Sequence, residues 1–388
     1  MANIFTIPNR IVAGKGALRL AGAELPSFGK KALIVTDPVM VKLGNAGRVT
    51  GMLDSMGVGY VIYDGITGEP NHEMIDRGVA VYQENGCDFL MAIGGGSPID
   101  SMKAIAAVAA NGGSICDYGG KALVNPLPPT CAIPTTAGTG SEATSVTIIT
   151  NLHTQVKMMI KDPALMVRMA IVDPQFTMTA PPSVTASTGV DALCHAVEAY
   201  TSTKAFSMSD MFALSAVKRI FANLYRAYDC GSDENAREEM AIASLEAGIA
   251  FSNASVTIVH GMSRPIGALF HVPHGLSNAM LLDACLRFAL PGAPDRFCDL
   301  AKTIGVYQAG MSDEEGAAAF AAALSDLLHK LKIPTPAKYG LDRAAFFAAI
   351  DKMAEDAMDS GSPSNTRRQP TVEDLKGLYR SLWDEAGF

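Results

Sequence analysis

The chain is predicted to pair an α/β half, built on a parallel sheet flanked by helices, with a second half that is nearly all helix. Three observations carry that expectation. The length of 388 residues exceeds what one ordinary core organises and fits two domains. From Lys31 to about Pro174, short apolar runs alternate with amphipathic stretches, as in a parallel sheet covered by helices. After about Pro182 apolar residues recur at the helical period over long stretches. Between these patterns "APPSV", Ala180 to Val184, gathers proline and serine. The expected boundary lies near Ser183, giving domains of residues 1–183 and 184–388.

In chain order the predicted strands are "KALIVTD", "GYVIYDG", "CDFLMAIGGG", "TCAIPTT" and "MAIVDPQ", several of them apolar enough to be buried on both faces. The predicted helices are "SDMFALSAVKRIFANLYRAY", "NAREEMAIASLEAGIAFSNA", "GAAAFAAALSDLLHKLK" and "TVEDLKGLYRSLWDEA". The third of these is expected to contribute to the core rather than to a partner face.

Composition removes several function classes. Hydrophobic residues make up 48% and charged residues 18%, while the 36 Gly and 21 Pro are spread along the chain, as in a compact globular protein. A formal charge of -8 opposes a phosphate backbone, and no basic stripe with interleaved aromatics occurs, so nucleic acid is not an expected partner. No segment approaches the roughly 20 apolar residues of a membrane span, and the N-terminus lacks an export pattern. The seven cysteines are an odd number without any CxxC, the pattern of reduced, mostly buried thiols in a cytoplasmic protein.

In "FLMAIGGGSPID" a strand runs into Gly94, Gly95 and Gly96 and then a helix. Ser97 suits the N-cap, Pro98 the first helical position and Asp100 the reciprocal place of a capping box. Capping leaves the three glycines unexplained. Glycine permits close backbone approach, and a helix N-terminus offers free N–H groups to an anion such as pyrophosphate. "PTTAGTGSEAT" also follows a strand: Thr135, Thr136, Thr139 and Ser141 can hold a nicotinamide or a second phosphate, or form a polar loop that ends in a cap. Asp37 closes the first of those strands, either as an ordinary strand-end acid or as the acceptor for an adenosine ribose, which would favour NAD over NADP.

In "VDALCHAVEAY", Asp191 and His195 are four apart and share one helix face, a pair that can make an ordinary helical hydrogen bond or share a divalent ion. "VHGMSRPIGALFHVPHG" adds His260 and His274 in an apolar, glycine-rich run where unpaired imidazoles are costly. One carboxylate and three imidazoles suit Fe(II) or Zn(II), and lack the thiolates of a structural zinc.

With these motifs the chain resembles the iron-containing (group III) alcohol dehydrogenases, from "NIFTIPNRIVAGKGAL" to "GSPSNTRRQPTVEDL". The resemblance implies an N-terminal Rossmann-like domain and a helical metal-binding domain, the dehydroquinate synthase-like architecture. It assigns Asp191, His195, His260 and His274 as metal ligands, Gly95, Gly96 and Ser97 to the pyrophosphate, Thr135 and Thr139 to the nicotinamide side, Lys157 to a further cofactor contact and Asp37 to the ribose. One position departs: where many members carry a second histidine four residues after a ligand, this chain has Arg264, a poor general base. The proton is then expected to leave through the nicotinamide ribose, water or His271. Arg264 either faces the anionic end of a substrate or pairs with a nearby acid.

The expected activity is NAD-dependent, metal-dependent interconversion of a small primary alcohol or diol and its aldehyde, by a cytoplasmic homodimer or larger homo-oligomer. A hydroxy acid or semialdehyde dehydrogenase is the nearest alternative, and a metal- and NAD-dependent lyase on the same fold is another. A non-haem iron oxygenase is disfavoured by the fourth ligand and the nucleotide half.

Overall fold

The computed structural model describes residues 2–154 and 156–383. The chain divides into two compact units, one of Thr6–Ala180 and one formed by the described residues on either side of it. In the first unit, six strands make one parallel sheet: β1 (Arg10–Ala13), β2 (Lys31–Val35), β3 (Gly59–Tyr63), β4 (Phe89–Gly94), β5 (Thr130–Pro134) and β8 (Met169–Val172), in the order β1-β8-β5-β4-β2-β3. Two further strands, β6 (Val146–Asn151) and β7 (Val156–Lys161), form a separate antiparallel pair.

All five predicted strands lie in the large sheet, and alternation explains why they are almost wholly apolar. Leu33 and Val35 of β2, with Leu90 and Ala92 of β4, pack on one face against Ile75 and Val79 of the helix His72–Glu84 and Ile99, Met102 and Ile105 of the helix Gly96–Asn111. Ala32, Ile34, Phe89, Met91 and Ile93 point to the other face, against Leu18, Val49 and Leu53. A sheet buried on both sides needs apolar residues at successive positions, not at alternate ones. Neither β1 nor the β6–β7 pair was among the predicted strands.

Among the described residues no strand lies after Val172. The helix Pro182–Thr201 packs against Ser207–Asp229, Glu234–Ala254 and His274–Ala289, and its stretch Gly189–Thr201 is buried throughout. The second, third and fourth predicted helices of this half match Glu234–Ala254, Asp313–Lys330 and Val372–Ser381; residues 384–386 of the last prediction lie outside the described residues. Asp313–Lys330 buries Phe320, Leu324, Leu327 and Leu328, so it is core as expected.

Two local features set the direction of the site helices. Between Glu234–Ala254 and Ile258–Phe270 the axis turns by 103°, with Ser255 in the left-handed region at φ 69. Asn365 Nδ2 donates to the Val256 carbonyl at 3.0 Å, satisfying backbone exposed by that corner. Gly275 lies against the Pro182–Thr201 helix, where a Cβ would come within 2.9 Å of the Ser187 carbonyl oxygen. Glycine there lets the helix beginning at His274 close on the helix that carries Asp191. Among the described residues no single helix is long and apolar enough to cross a membrane.

Candidate functional site

Three helices bring together the four residues expected as ligands. Asp191 and His195 project from Pro182–Thr201, His260 from the first turn of Ile258–Phe270, and His274 opens His274–Ala289. One ligand atom from each lies within 4.8 Å of all the others. Asp191 Oδ1 is 3.7 Å from His260 Nε2 and 3.8 Å from His274 Nε2. The His195 ring stacks between Phe251 at 4.1 Å and His260 at 4.4 Å, which fixes its plane. Asp191, His195 and His260 are buried, whereas 39% of the His274 side chain is exposed, so the cluster is open on that side.

Burial sets the protonation of this group. It drives His260 down to about 3, assisted by the Arg264 charge, so the imidazole is neutral and has a lone pair to give. Without a cation, burial pushes Asp191 up to about 7; a divalent ion would reverse that cost. Asn278 supplies a further sign of fit. Its Nδ2 lies 2.6 Å from Asp191 Oδ1, 3.1 Å from His260 Nε2 and 3.2 Å from His274 Nε2, while its buried Oδ1 has no partner. The amide nitrogen thus bridges the ligand atoms, and turning the amide over would present its orphaned oxygen to a cation. One carboxylate and three imidazoles converging on one point, with one side open, fit a divalent ion of the Fe(II) or Zn(II) kind.

Sequence reasoning missed Glu198. It lies seven residues after Asp191, hence on the same face of the same helix. Its Oε2 is 2.5 Å from His260 Nδ1, and its Oε1 accepts from Thr257 Oγ1 at 2.7 Å and the Val259 N–H at 2.6 Å. A carboxylate holding Nδ1–H fixes the tautomer that aims Nε2 at the cluster, a partnership whose loss typically costs 10- to 100-fold in metal affinity. The signal was present: an acid in the otherwise apolar run "HAVEAY".

Arg264 sits four residues after His260 on the same helix and is partly buried. Among the described residues its guanidinium makes no ion pair or hydrogen bond, and the acid whose charge it feels is Glu198. His271 ends that helix at φ 55 and is exposed, and no described contact joins its ring to the four ligands.

In the first unit the glycine loop and the "PTTAGTGSEAT" loop lie side by side at the ends of β4 and β5. The Thr135 N–H donates to the Gly94 carbonyl at 2.9 Å. A Cβ on Gly95 would meet Thr136 Oγ1 at 3.4 Å, and one on Gly96 would meet Thr139 Cγ2 at 3.1 Å. The glycines therefore keep a narrow gap between the loops. The expected capping box does not form. The helix begins at Gly96 with Gly95 as its cap residue, and no side chain caps it. Asp100 turns instead toward the second loop, accepting from Ser141 Oγ and from the Ile148 N–H at 3.0 Å. Uncapped N–H groups beside glycines suit an anion such as pyrophosphate.

Three other expected contacts are already engaged. The Ser141 hydroxyl is buried and donates to Asp100, which braces the loop. Asp37 Oδ1 caps a short helix, accepting from the Val39 and Met40 N–H groups at 2.8 and 2.9 Å. Lys157 on β7 pairs with Glu69 at 2.5 Å. Gly94 is held by Pro98, whose Cγ would lie 2.4 Å from an added Cβ. Thr136, Thr139 and Ser97 remain partly exposed. Lys103 was also missed; it is 1% exposed and ties this loop to its helix.

Comparison with known proteins covers nearly the whole chain. Residues 8–174 match the family description "Iron-containing alcohol dehydrogenase", and residues 185–383 match "Fe-containing alcohol dehydrogenase family, C-terminal". The 1,3-propanediol dehydrogenase of Klebsiella pneumoniae is 36% identical over 383 residues, covering 98% of each chain. A crystal structure of a 1,3-propanediol oxidoreductase superposes with a TM-score of 0.95 at 35% identity, over 99% of this chain and 100% of that one. The sulfoacetaldehyde reductase of Bifidobacterium kashiwanohense, solved in complex with NAD+, gives a TM-score of 0.90 at 30% identity, over 99% and 100% of the two chains.

Proposed function

The chain belongs to the iron-containing alcohol dehydrogenase family and is an alcohol/aldehyde oxidoreductase; from that premise we propose that it requires a divalent metal and NAD and acts on a small primary alcohol or diol. The observation that carries the reading is the convergence of Asp191, His195, His260 and His274 within 4.8 Å, three of them buried and the cluster open on the His274 side. These four residues would hold the ion. When bound it supplies Lewis acidity, polarising a carbonyl or making a hydroxyl easier to deprotonate. The nicotinamide supplies or accepts the hydride.

The chain's own residues do the remainder. Glu198 holds His260 in the ligating tautomer through Nδ1, and Phe251 holds the ring plane of His195. The Gly96–Asn111 helix start, with Gly94, Gly95, Gly96 and Ser97, would take the pyrophosphate, and Thr135, Thr136 and Thr139 would line its other wall. Asp37 keeps one oxygen for its cap and has the second for a ribose hydroxyl; Lys157, paired with Glu69, would remain within that pocket wall. In this reading NAD is favoured because a carboxylate at Asp37 repels a 2'-phosphate. The sulfoacetaldehyde reductase with NAD+ supports the same cofactor. His271 is an exposed group able to exchange protons with water, and the reading does not depend on it. The working state proposed is a cytoplasmic homo-oligomer.

The test is loss of NADH absorbance with propanal, using protein stripped of metal and reloaded anaerobically with Fe(II) or Zn(II). Aldehyde-dependent loss that requires the metal is expected. If NADH is consumed at the same rate with and without metal, the metal part of the reading is wrong; if product forms without net NADH consumption, the lyase alternative replaces the dehydrogenase.

A further inference from the structure

We propose that Arg264 selects a short aldehyde bearing a carboxylate at its far end; this rests on the alcohol–aldehyde reading and specifies its substrate class. The first observation is position. Arg264 follows His260 by four residues, about 6 Å of rise on the same helix face, and its charge is felt by His260 and Glu198, so its side chain leaves the helix beside the cluster.

The second observation is an unspent fork of donors. Other arginines withdrawn from water in this unit are all engaged: Arg219 pairs with Glu239 and Glu246, Arg296 with Asp210, and Arg237 donates to Thr185 Oγ1. Arg264 is partly buried and, among the described residues, has no such partner. Glu198 is near enough to favour its charge, but both Glu198 oxygens are occupied by His260, Thr257 and Val259. Its nitrogens are not among the buried polar atoms lacking a partner, and a planar carboxylate can take such a fork bidentately.

The experiment compares succinic semialdehyde with butanal, which has a methyl group in place of the carboxylate, using metal-loaded full-length protein and NADH. The readout is the ratio of kcat/KM for the two aldehydes in the wild type, Arg264→Met and Arg264→Lys. The ratio is expected to favour succinic semialdehyde in the wild type and to fall about 10- to 100-fold in Arg264→Met, mainly through KM, the range for a charge-assisted hydrogen-bonded contact. Arg264→Lys keeps the charge without the fork and should lie between. Calorimetric titration with 4-hydroxybutyrate gives a readout independent of turnover, and its affinity should fall in the same order. A guanidinium that only stabilises charge developing on the aldehyde oxygen would slow both aldehydes alike and leave the ratio unchanged, which overturns the proposal. Butanal turnover with an unchanged ratio therefore defeats this inference alone. Turnover of neither aldehyde by metal-loaded wild type defeats the alcohol–aldehyde reading and the inference with it.

Discussion

Substitution of His260 by alanine is expected to leave a folded protein that no longer retains stoichiometric metal and turns over aldehyde at least about a thousandfold more slowly. The magnitude follows from removing Lewis-acid stabilisation worth several kcal/mol, at about 1.4 kcal/mol per tenfold in rate. His260 is the appropriate target because its neighbours make it the most committed ligand. Burial holds it neutral, and Glu198 holds its Nδ1. Folding should survive because the helix it occupies is anchored elsewhere, by Ile258, Val259, Met262 and Ile266 in the core and by the Tyr379 hydroxyl donating to the Met262 carbonyl at 2.7 Å. Elemental analysis after dialysis, beside the NADH assay, checks both halves. Retention of one metal per chain with full activity would remove His260 from the ligand set.

Lys103→Met is expected to produce the largest loss of stability, about 3–5 kcal/mol at pH 7.5, the cost of removing one member of a buried charged network. The Lys103 ammonium donates to the carbonyls of Ser141, Thr144 and Val146 at 2.7, 2.8 and 3.0 Å and to Thr144 Oγ1 at 2.9 Å. Methionine fills similar volume but leaves all of these acceptors stranded. Burial lowers the lysine to about 8, and two acids depend on its charge: Lys103 offsets part of the burial that raises Asp100 and that pushes Glu142 up to about 7. Removing the lysine raises both further. An acid whose folded pKa exceeds its unfolded value binds more protons when folded, so stability rises as pH falls through that window. The deficit of the variant should therefore be largest above pH 7 and shrink toward pH 5. Denaturant unfolding of both proteins at the two pH values measures it, and a deficit that grows on acidification would show that Lys103 does not hold these acids.

Much of this arrangement was legible before any coordinates. The five central strands could be read because burial on both faces leaves a continuous apolar run, as in "FLMAIG". β1 escaped because four residues, only Val12 of them buried, carry little signal. The β6–β7 pair escaped because its burial is partial and irregular. The cluster of Asp191, His195, His260 and His274 was legible because imidazoles in apolar surroundings need a reason to be there. Glu198 and Lys103 followed the same logic and were overlooked: each is a charge in a mostly apolar helix, and each is buried with partners supplied by distant segments. The capping box at Ser97 failed because local pattern lost to a tertiary contact. Asp100 gains the Ser141 hydroxyl and the Ile148 N–H, which the helix cap could not match. That Arg264 makes no ion pair among the described residues could not be read at all, since it depends on where the other acids of the unit go.

The most direct test is anomalous diffraction from crystals of the chain reloaded with Zn(II), recorded on both sides of the zinc absorption edge. The expected result is one strong peak within about 2.0–2.2 Å of an Asp191 oxygen and of imidazole nitrogens from His195, His260 and His274. A peak bound elsewhere, or these four side chains ordered around no peak at all, would contradict the assignment of this cluster as the metal site on which the proposed reaction depends.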